Sequence, residues 1–266
     1  MQGRLSQKKD QPLQSFPIKT WEDEFKNASL IGFNKIEWLI DGLSDDINPI
    51  FSEDGRLKIK KLCRENNVSV DSVCGHFMMS GDILSNDKDI SSMELKKLNS
   101  ALLASKNAGI SFFSIPLMGS LSLKNENNKF RILDLFNNYI SHDRPMILLE
   151  TDIDAKELRD FFKNLTNEFG VLYDLGNANA LNFDICSELK MLKDLIKEIH
   201  IKDRKNHGGE SCSLGMGGTN FQEIFSTLKE INWTGDFVLE TPIFNDWEVE
   251  ARKNYSFSSN LLNLLI

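Results

Sequence analysis

The sequence predicts a single-domain α/β protein, a (β/α)8 or TIM barrel, and three observations support this prediction. Short apolar runs alternate with longer amphipathic stretches along almost all of the 266 residues. Such alternation is typical of parallel strands joined by helical crossovers. The alternation does not break into two halves, and no Gly-x-Gly-x-x-Gly motif follows the first strand. Both facts favour a closed barrel over the alternative, an open doubly wound sheet.

The apolar runs are short enough to be buried strands, and most are rich in β-branched or aromatic residues. They span residues 35–40, 68–74, 110–116, 145–150, 170–174, 196–202 and 235–240. A closed barrel needs one strand more. We expect the N-terminal segment 1–5 to supply it as a short first strand.

Helix-capping patterns lie between these runs. A polar residue precedes Asp, Glu or Gln by three positions at Thr20, Ser91, Asp154 and Thr219, which predicts four helix starts. Glycines predict where these helices end, because glycine adopts the left-handed conformation at little cost: Gly32, Gly109, Gly170 and Gly235. Four less sharply bounded helices fit residues 54–66, 128–141, 181–195 and 246–262.

The composition limits the partners and the compartment. The chain has 31 Lys and Arg against 39 Asp and Glu, a net charge of −8, which disfavours nucleic acid or acidic lipid as a partner. The cysteines are few and none has Cys-x-x-Cys spacing, which is typical of reduced thiols in the cytoplasm. The first residues have no apolar core, and no apolar run is long enough to span a bilayer. We expect a cytoplasmic protein that does not enter a membrane.

Acidic residues and one histidine stand where four consecutive predicted strands end. They are Glu150, Asp174, His200 and Glu240. In a β/α barrel these ends meet at the catalytic face. A single buried acid is commonly paired with Lys or Arg, but three carboxylates together repel unless a cation lies between them. Three oxygen donors and one imidazole suit a divalent ion such as Mn²⁺, Mg²⁺, Co²⁺ or Zn²⁺.

These residues carry a resemblance to a known family. The chain resembles the xylose isomerase-like TIM barrel superfamily of sugar-phosphate isomerases and epimerases. The segments that carry the resemblance occur in the family's order: 148–150 (LLE), 173–177 (YDLGN), 200–204 (HIKDR), 214–217 (LGMG) and 238–240 (VLE). The resemblance implies that Glu150, Asp174, His200 and Glu240 bind one divalent metal ion, with Mn²⁺ the first candidate.

The resemblance also implies that Glu150 and Glu240 face each other across a sugar as a catalytic acid/base pair. Metal contact with adjacent carbonyl and hydroxyl oxygens acidifies the C–H bond between them and stabilises an enediolate. One glutamate then removes the proton and the other can return it. Use of one face of the sugar gives isomerisation, and use of both faces gives epimerisation.

Six further residues are candidates for binding the sugar or sugar phosphate: Arg204, Lys202, His76, Asn177, Glu37 and Arg4. Arg204 contacts substrate oxygens in the resembling enzymes, and its alternative is a salt bridge to Asp203 or another rim acid. Lys202 points the same way as His200, so it holds a substrate oxygen or balances Glu240. Asp203 points away from the site and is expected to be structural.

The remaining candidates also have alternatives. His76 lies in the loop after the third strand, where a histidine binds a substrate oxygen or is an ordinary surface residue. Glu37 contacts substrate or pairs with a barrel cation such as Arg4. Asn177 stands where tagatose-epimerase-type relatives often have a histidine; an asparagine donates to a substrate oxygen but cannot shuttle a proton at neutral pH.

The leading hypothesis is therefore a metal-dependent sugar or sugar-phosphate isomerase or epimerase. One alternative is a lyase of the inosose dehydratase type, and another is a non-catalytic sugar-binding barrel. An endonuclease IV-like nuclease is disfavoured, because Asn177 and the segment 209–211 lack the extra histidines that a three-zinc site requires. The resemblance further suggests a homodimer.

Overall fold

The computed structural model describes residues 1–2, 4–6, 14–43, 47–166, 168–205, 208–244 and 246–265. Seven parallel strands form one sheet in which spatial order follows chain order. They are β1 (Lys35–Leu39), β2 (Ser69–Cys74), β3 (Phe112–Leu117), β4 (Met146–Thr151), β5 (Phe169–Asp174), β6 (Ile196–Ile201) and β9 (Asp236–Leu239). All seven coincide with predicted apolar runs to within two residues at each end.

The N-terminal segment joins the two edges of this sheet. The Gln2 amide donates to the Leu239 carbonyl of β9 at 3.1 Å, and the Glu37 amide of β1 donates to the Met1 carbonyl at 3.0 Å. Gln2 and Glu37 form a parallel bridge. The predicted segment 1–5 thus occupies the position of the first barrel strand, with Gly3 outside the described residues. The TIM barrel prediction is confirmed.

A short antiparallel pair, β7 (Asp203–Arg204) and β8 (Ser211–Cys212), follows β6 and was not predicted. The α-helices of the described chain surround the barrel. They are α1 (Asp23–Ile31), α2 (Glu53–Asn66), α3 (Lys88–Ala108), α4 (Glu126–Asn138), α5 (Ala155–Phe162), α6 (Leu175–Ala180), α7 (Ile185–Leu192), α8 (Phe221–Glu230) and α9 (Trp247–Leu262). The helix predicted over 181–195 is the shorter α7, and α6 was missed.

The helix boundaries test the capping predictions. Asp154 caps α5 and accepts the Glu157 amide at 2.9 Å, as predicted. Thr20 does not cap α1, since that helix begins after Glu22 and has no side-chain cap. The prediction from Ser91 is wrong by one turn because Asp87 caps α3 instead. Asn220 rather than Thr219 caps α8, one residue later than predicted.

The glycine predictions divide in the same way. Gly32 and Gly109 end α1 and α3 with φ of 112° and 84°, as expected for left-handed C-caps. Gly170 and Gly235 do not end helices. Gly170 lies inside β5, Gly235 directly precedes β9, and the helices before them end at Phe162 and Glu230.

The apolar core fills the space between the sheet and the helices. The interior of the barrel is polar, because alternate residues of β6 and the ends of its neighbours are charged. The four cysteines are free thiols. None of the helices in the described part of the chain has both the length and the apolarity that crossing a bilayer requires.

Candidate active site

The predicted strand-end residues converge at the carboxyl ends of the strands. Glu150 lies in β4, Asp174 ends β5, His200 lies in β6 and Glu240 directly follows β9. All four side chains are buried, with exposures of 8, 5, 1 and 3%. Asp174 pairs with His200 across β5 and β6, so the parallel register places these two residues at the same height in the barrel. The barrel therefore assembles these groups at one end, as expected for this fold.

Three of these residues form the tightest group. Ligand atoms of Asp174, His200 and Glu240 lie within 4.8 Å of one another. His200 Nδ1 is 3.0 Å from Glu240 Oε2. Asp174 Oδ2 is buried without a hydrogen-bond partner among the described residues. We call Asp174, His200 and Glu240 the rim group, and Glu150 lies outside it on the adjacent strand.

Donors surround Glu240. Lys202 Nζ donates to its Oε1 at 2.8 Å and Gln14 Nε2 donates to the same oxygen at 2.6 Å. Arg4 Nη2 lies 3.9 Å away. Burial alone raises the pKa of Glu240, but the charges of Lys202, His200 and Arg4 outweigh it and hold that pKa well below its ordinary value. These neighbours favour the ionised form of Glu240.

Glu150 has the opposite environment. Its Oε1 accepts one hydrogen bond, from Asn177 Nδ2 at 2.8 Å. Burial, together with the negative charges of Asp174 and Glu240, raises the pKa of Glu150 to about 8. Glu240 of the rim group and Glu150 on the adjacent strand thus differ in their readiness to hold a proton.

Lys202 is the internal cation of the site. Besides Glu240, its Nζ lies 3.4 Å from Asp174 Oδ2. Burial lowers the pKa of Lys202, but the charges of Asp174, Glu240 and Glu150 reverse this effect and raise it. The structure therefore places Lys202 where it balances Glu240, one of its two predicted roles. His200 follows the same pattern, since burial lowers its pKa and the nearby carboxylates, Glu37 first, raise it well above the ordinary value.

The first turn of α6 holds Asn177 over the site. Asp174 caps this helix through Oδ1, which accepts the Asn177 amide at 2.7 Å. The helix passes so close to β6 that a Cβ on Gly176 would lie 2.9 Å from the Lys202 carbonyl oxygen. Glycine at this position therefore permits the approach. The result is an asparagine amide aimed at Glu150.

Arg204 extends the hydrogen-bond network of Glu150 and Asn177 toward the loop at Gly209. Its Nη1 donates to Asn177 Oδ1 at 2.9 Å, and its Nε donates to the Gly209 carbonyl at 2.9 Å. It does not pair with Asp203, the predicted alternative. The Asp203 carboxylate instead accepts backbone amides from Gly215 and Gly217 at 2.9 and 2.8 Å. Asp203 thus fixes the glycine-containing loop, which agrees with its expected structural role.

Two of the other predicted residues lie in the barrel interior. Arg4 donates to the Thr241 carbonyl at 2.6 Å and to Gln2 Oε1 at 2.9 Å. Glu37 Oε2 accepts from Gln2 Nε2 at 2.8 Å and lies 3.4 Å from His200 Nε2. Both side chains are at most 2% exposed. Arg4 and Glu37 are therefore connected through Gln2 rather than by a direct hydrogen bond.

His76 lies at the rim, in a short 3₁₀ helix, His76–Ser80, that follows β2. Burial lowers its pKa, while the charge of Glu240 acts in the opposite direction.

The sequence reasoning missed Gln2, Gln14 and Glu198. Only Glu198 had a signal, because it stands two residues before His200 and strand alternation puts both on one face.

The rim group fits a divalent cation. Two carboxylates and an imidazole are a donor set that Mn²⁺, Zn²⁺ and related ions accept. Asp174 Oδ2 is a buried oxygen that makes no hydrogen bond among the described residues, with Lys202 Nζ 3.4 Å away. Glu150 adds a further oxygen from the next strand. The excess of buried negative charge is what a cation would neutralise.

Comparison with known proteins agrees with the fold. A family model described as xylose isomerase-like TIM barrel matches residues 25–261. L-ribulose-5-phosphate 3-epimerase UlaE of Escherichia coli O8 (strain IAI1) is 24% identical over 233 residues, which cover 83% of this chain and 81% of the relative.

Solved structures show the same architecture. A structure of L-ribulose 3-epimerase superposes with a TM-score of 0.76 at 15% identity and covers 100% of this chain and 94% of that one. The apo form of 3-keto-D-glucoside 4-epimerase YcjR from E. coli gives a TM-score of 0.70 at 17% identity and covers 94% and 97%. At these identities the superpositions establish the fold, and the family model establishes membership. The chain belongs to the xylose isomerase-like TIM barrel family.

Proposed function

We propose that this protein is a sugar isomerase or epimerase that depends on a divalent metal ion. The observation that carries the proposal is the rim group of Asp174, His200 and Glu240, with Glu150 on the adjacent strand end. The sequence relatives and several structural neighbours have names that denote sugar epimerases. A binding protein without catalysis would not need two acidic groups in opposite environments beside a cation site.

The rim group, joined by Glu150, would hold the metal ion, with Mn²⁺ the first candidate. A bound divalent cation supplies Lewis-acid stabilisation of the negative charge that develops on substrate oxygens. Lys202 lies beside Asp174 and Glu240, and Arg204 donates to Asn177; both would supply positive charge and N–H donors for sugar oxygens. His76 lies at the rim near them.

Glu150 and Glu240 are proposed to move the proton. A carboxylate on one face of the sugar removes the proton from the carbon next to the carbonyl, which leaves an enediolate. The carboxylic acid on the other face delivers a proton to the same carbon and inverts it. Asn177 holds Glu150 and Lys202 holds Glu240, so each group keeps a fixed orientation during the transfer.

The proposed substrate is a ketose, free or phosphorylated, that is epimerised at carbon 3. This choice follows the relatives, which are named L-ribulose-5-phosphate 3-epimerase and L-ribulose 3-epimerase. The choice between isomerisation and epimerisation depends on whether both glutamates exchange their protons with the substrate. The experiment below distinguishes them.

The test is deuterium exchange in D₂O. The Mn²⁺-loaded protein is incubated with a panel of ketoses and ketose 5-phosphates, Mn²⁺ is then removed, and the sugars are examined by NMR. An epimerase incorporates deuterium at carbon 3 and forms the 3-epimer, whereas an isomerase forms an aldose. An α,β-eliminated product identifies a lyase instead, and the absence of exchange with every sugar refutes catalysis on this class of substrate.

Glu150→Gln and Glu240→Gln are each expected to abolish exchange, because glutamine cannot accept the proton. Glu188→Gln is the matched control. Glu188 is also a buried glutamate, but its carboxylate accepts hydrogen bonds from the Tyr173 hydroxyl at 2.6 Å and the Ala155 amide at 2.9 Å rather than from a residue of the proposed metal site. Full exchange by Glu240→Gln would contradict the assigned role.

A further inference from the structure

A second group of acidic side chains lies deeper in the barrel, against the far side of the His200 ring. Glu37 Oε2 is 3.4 Å from His200 Nε2, and Glu198 Oε1 is 3.7 Å from the same nitrogen. Glu198 precedes His200 by two residues on β6 and is therefore one layer further from the mouth of the barrel. Exposures of Glu37, Glu198 and His200 are 1, 2 and 1%.

Three polar atoms of this inner group have no hydrogen bond. Glu37 Oε1, Glu198 Oε1 and His200 Nε2 are all buried, and none makes a hydrogen bond within the described parts of the chain. A buried polar atom without a partner costs about 1–3 kcal/mol. The ring nitrogen without a hydrogen bond and the two carboxylates beside it therefore form one group whose members can satisfy one another.

We infer that Glu37 and Glu198 are positioning residues for His200. Their carboxylates take up the Nε2–H of the ring, and this leaves the Nδ1 lone pair for the divalent cation. The inference rests on the cation site of the proposed function. It assigns to Glu37 a role beneath the histidine, rather than contact with the substrate, and it gives Glu198, which the sequence analysis did not single out, the same role.

The chemistry of imidazole supports this assignment. A neutral ring has one N–H and one lone pair, so the group that accepts the N–H decides which nitrogen faces a metal ion. Nδ1 faces Glu240 of the rim group at 3.0 Å, whereas Nε2 faces the inner carboxylates. Outer carboxylates of this kind fix ring orientation and raise the basicity of the ligating nitrogen.

The inner group is also connected to barrel closure. Gln2 Nε2 donates to Glu37 Oε2 at 2.8 Å, and Gln2 Oε1 accepts from Arg4 Nη2 at 2.9 Å. The backbone of Gln2 bonds β9 through Leu239. The segment that closes the barrel therefore holds Glu37 in place under His200, and the orientation of the ring depends on residues from both edges of the sheet.

The first test measures Mn²⁺ affinity by competition with a fluorescent chelator. Glu37→Gln and Glu198→Gln are each expected to weaken binding by about 10–100-fold, the usual effect of losing an outer carboxylate. Glu188→Gln serves as the control for a buried glutamate that does not contact His200, and it is expected to bind Mn²⁺ as the wild type does. Thermal melting checks that each variant is folded.

The second test needs no variant of the inner group. In the Zn²⁺-loaded wild-type protein, ¹⁵N NMR of the imidazoles is expected to show His200 with protonated Nε2 and metal-bound Nδ1; the signal is assigned by its loss in His200→Gln. A ring bound through Nε2, or two metal ions per chain, would overturn the inference, because Nε2 would then be a ligand itself.

The outcomes separate the inference from the proposed function. If both glutamine variants bind Mn²⁺ as tightly as the wild type, the positioning role is refuted and the cation site stands. If the wild type binds no divalent ion, the cation site is refuted and the inference falls with it. Weakened binding together with Nδ1 ligation supports both.

Discussion

Replacing Lys202 with methionine tests whether a lysine and a divalent cation neutralise the same carboxylates. Lys202 Nζ lies 2.8 Å from Glu240 Oε1 and 3.4 Å from Asp174 Oδ2, and these two residues belong to the proposed metal site. Methionine keeps an unbranched apolar stem and removes the charge. The variant should therefore lose stability without metal and regain it when a divalent ion binds.

The size of the loss follows from burial. The side chain of Lys202 is 9% exposed and that of Glu240 is 4% exposed, so solvent screens the pair weakly. Removing one partner of a buried ion pair costs about 3–5 kcal/mol. The lower part of this range applies here because Arg4 and His200 still face Glu240. In a chain of this size, about 3 kcal/mol corresponds to a decrease in Tm of roughly 10 °C.

The assay is thermal melting with and without Mn²⁺, and the matched control is Lys205→Met. Lys205 pairs with Glu210 at 2.7 Å, a similar distance, but both side chains are exposed, so its loss should leave Tm unchanged. Metal should raise the Tm of Lys202→Met by more than that of the wild type, because the empty site carries one more negative charge. Equal Tm values for the two lysine variants would refute the reasoning.

Three other predictions address the surroundings of the site. Asn177→Ala removes the donor to the buried Glu150 Oε1, so deuterium exchange into the sugar should slow by roughly tenfold and urea unfolding should show a loss of about 1–3 kcal/mol. Asp203→Asn replaces one carboxylate oxygen with an NH₂ group, which cannot accept hydrogen bonds from the loop amides. Urea unfolding should show a loss of about 2 kcal/mol in stability. Burial raises the pKa of Glu24 from 4.5 to about 7, against the hydrogen bonds from Ser6 and Leu5. The folded protein therefore holds the Glu24 proton more tightly than the unfolded chain, and this contribution to stability is lost as pH rises from 4.5 through 7. Between pH 4.5 and pH 8 the wild type should lose about 3 kcal/mol of stability from this group, measured by urea unfolding, and Glu24→Gln should not show this loss. Glu22 is exposed, so Glu22→Gln should still show it.

The strands were predictable because most are short, largely buried runs rich in β-branched or aromatic residues. Such runs are a direct consequence of parallel sheets covered by helices, and the observed strands follow them closely. The helix ends were harder to predict, because they depend on capping interactions, which contribute less free energy than the burial of a strand. Ser91 has the capping pattern, but Asp87 lies one turn earlier and accepts the Asp89 amide at 2.9 Å, so the helix begins there. The pattern alone does not rank two competing caps.

The strand-end residues of the site were predictable for a similar reason. The fold itself brings strand ends together, so a carboxylate at the end of a run predicts a rim position without knowledge of loops. Gln14 had no such signal. It reaches Glu240, 226 residues away in sequence, from a connecting segment whose path the apolar pattern does not encode. Loop residues that enter an active site therefore need the structure.

The depth of a residue within the barrel was the other quantity that the sequence left open. Alternation predicts that Glu198, His200 and Lys202 share one face of β6, yet it does not say which neighbour each one meets. In the structure each of the three residues has its own neighbours. Lys202 contacts Glu240, His200 contacts Glu240 and Glu37, and Glu198 lies below His200. The side chains therefore change from acidic to basic toward the mouth, from carboxylate to imidazole to ammonium. This order places the basic groups toward the mouth and an acidic layer beneath them, so that a cation entering from the mouth would meet a histidine already held from behind.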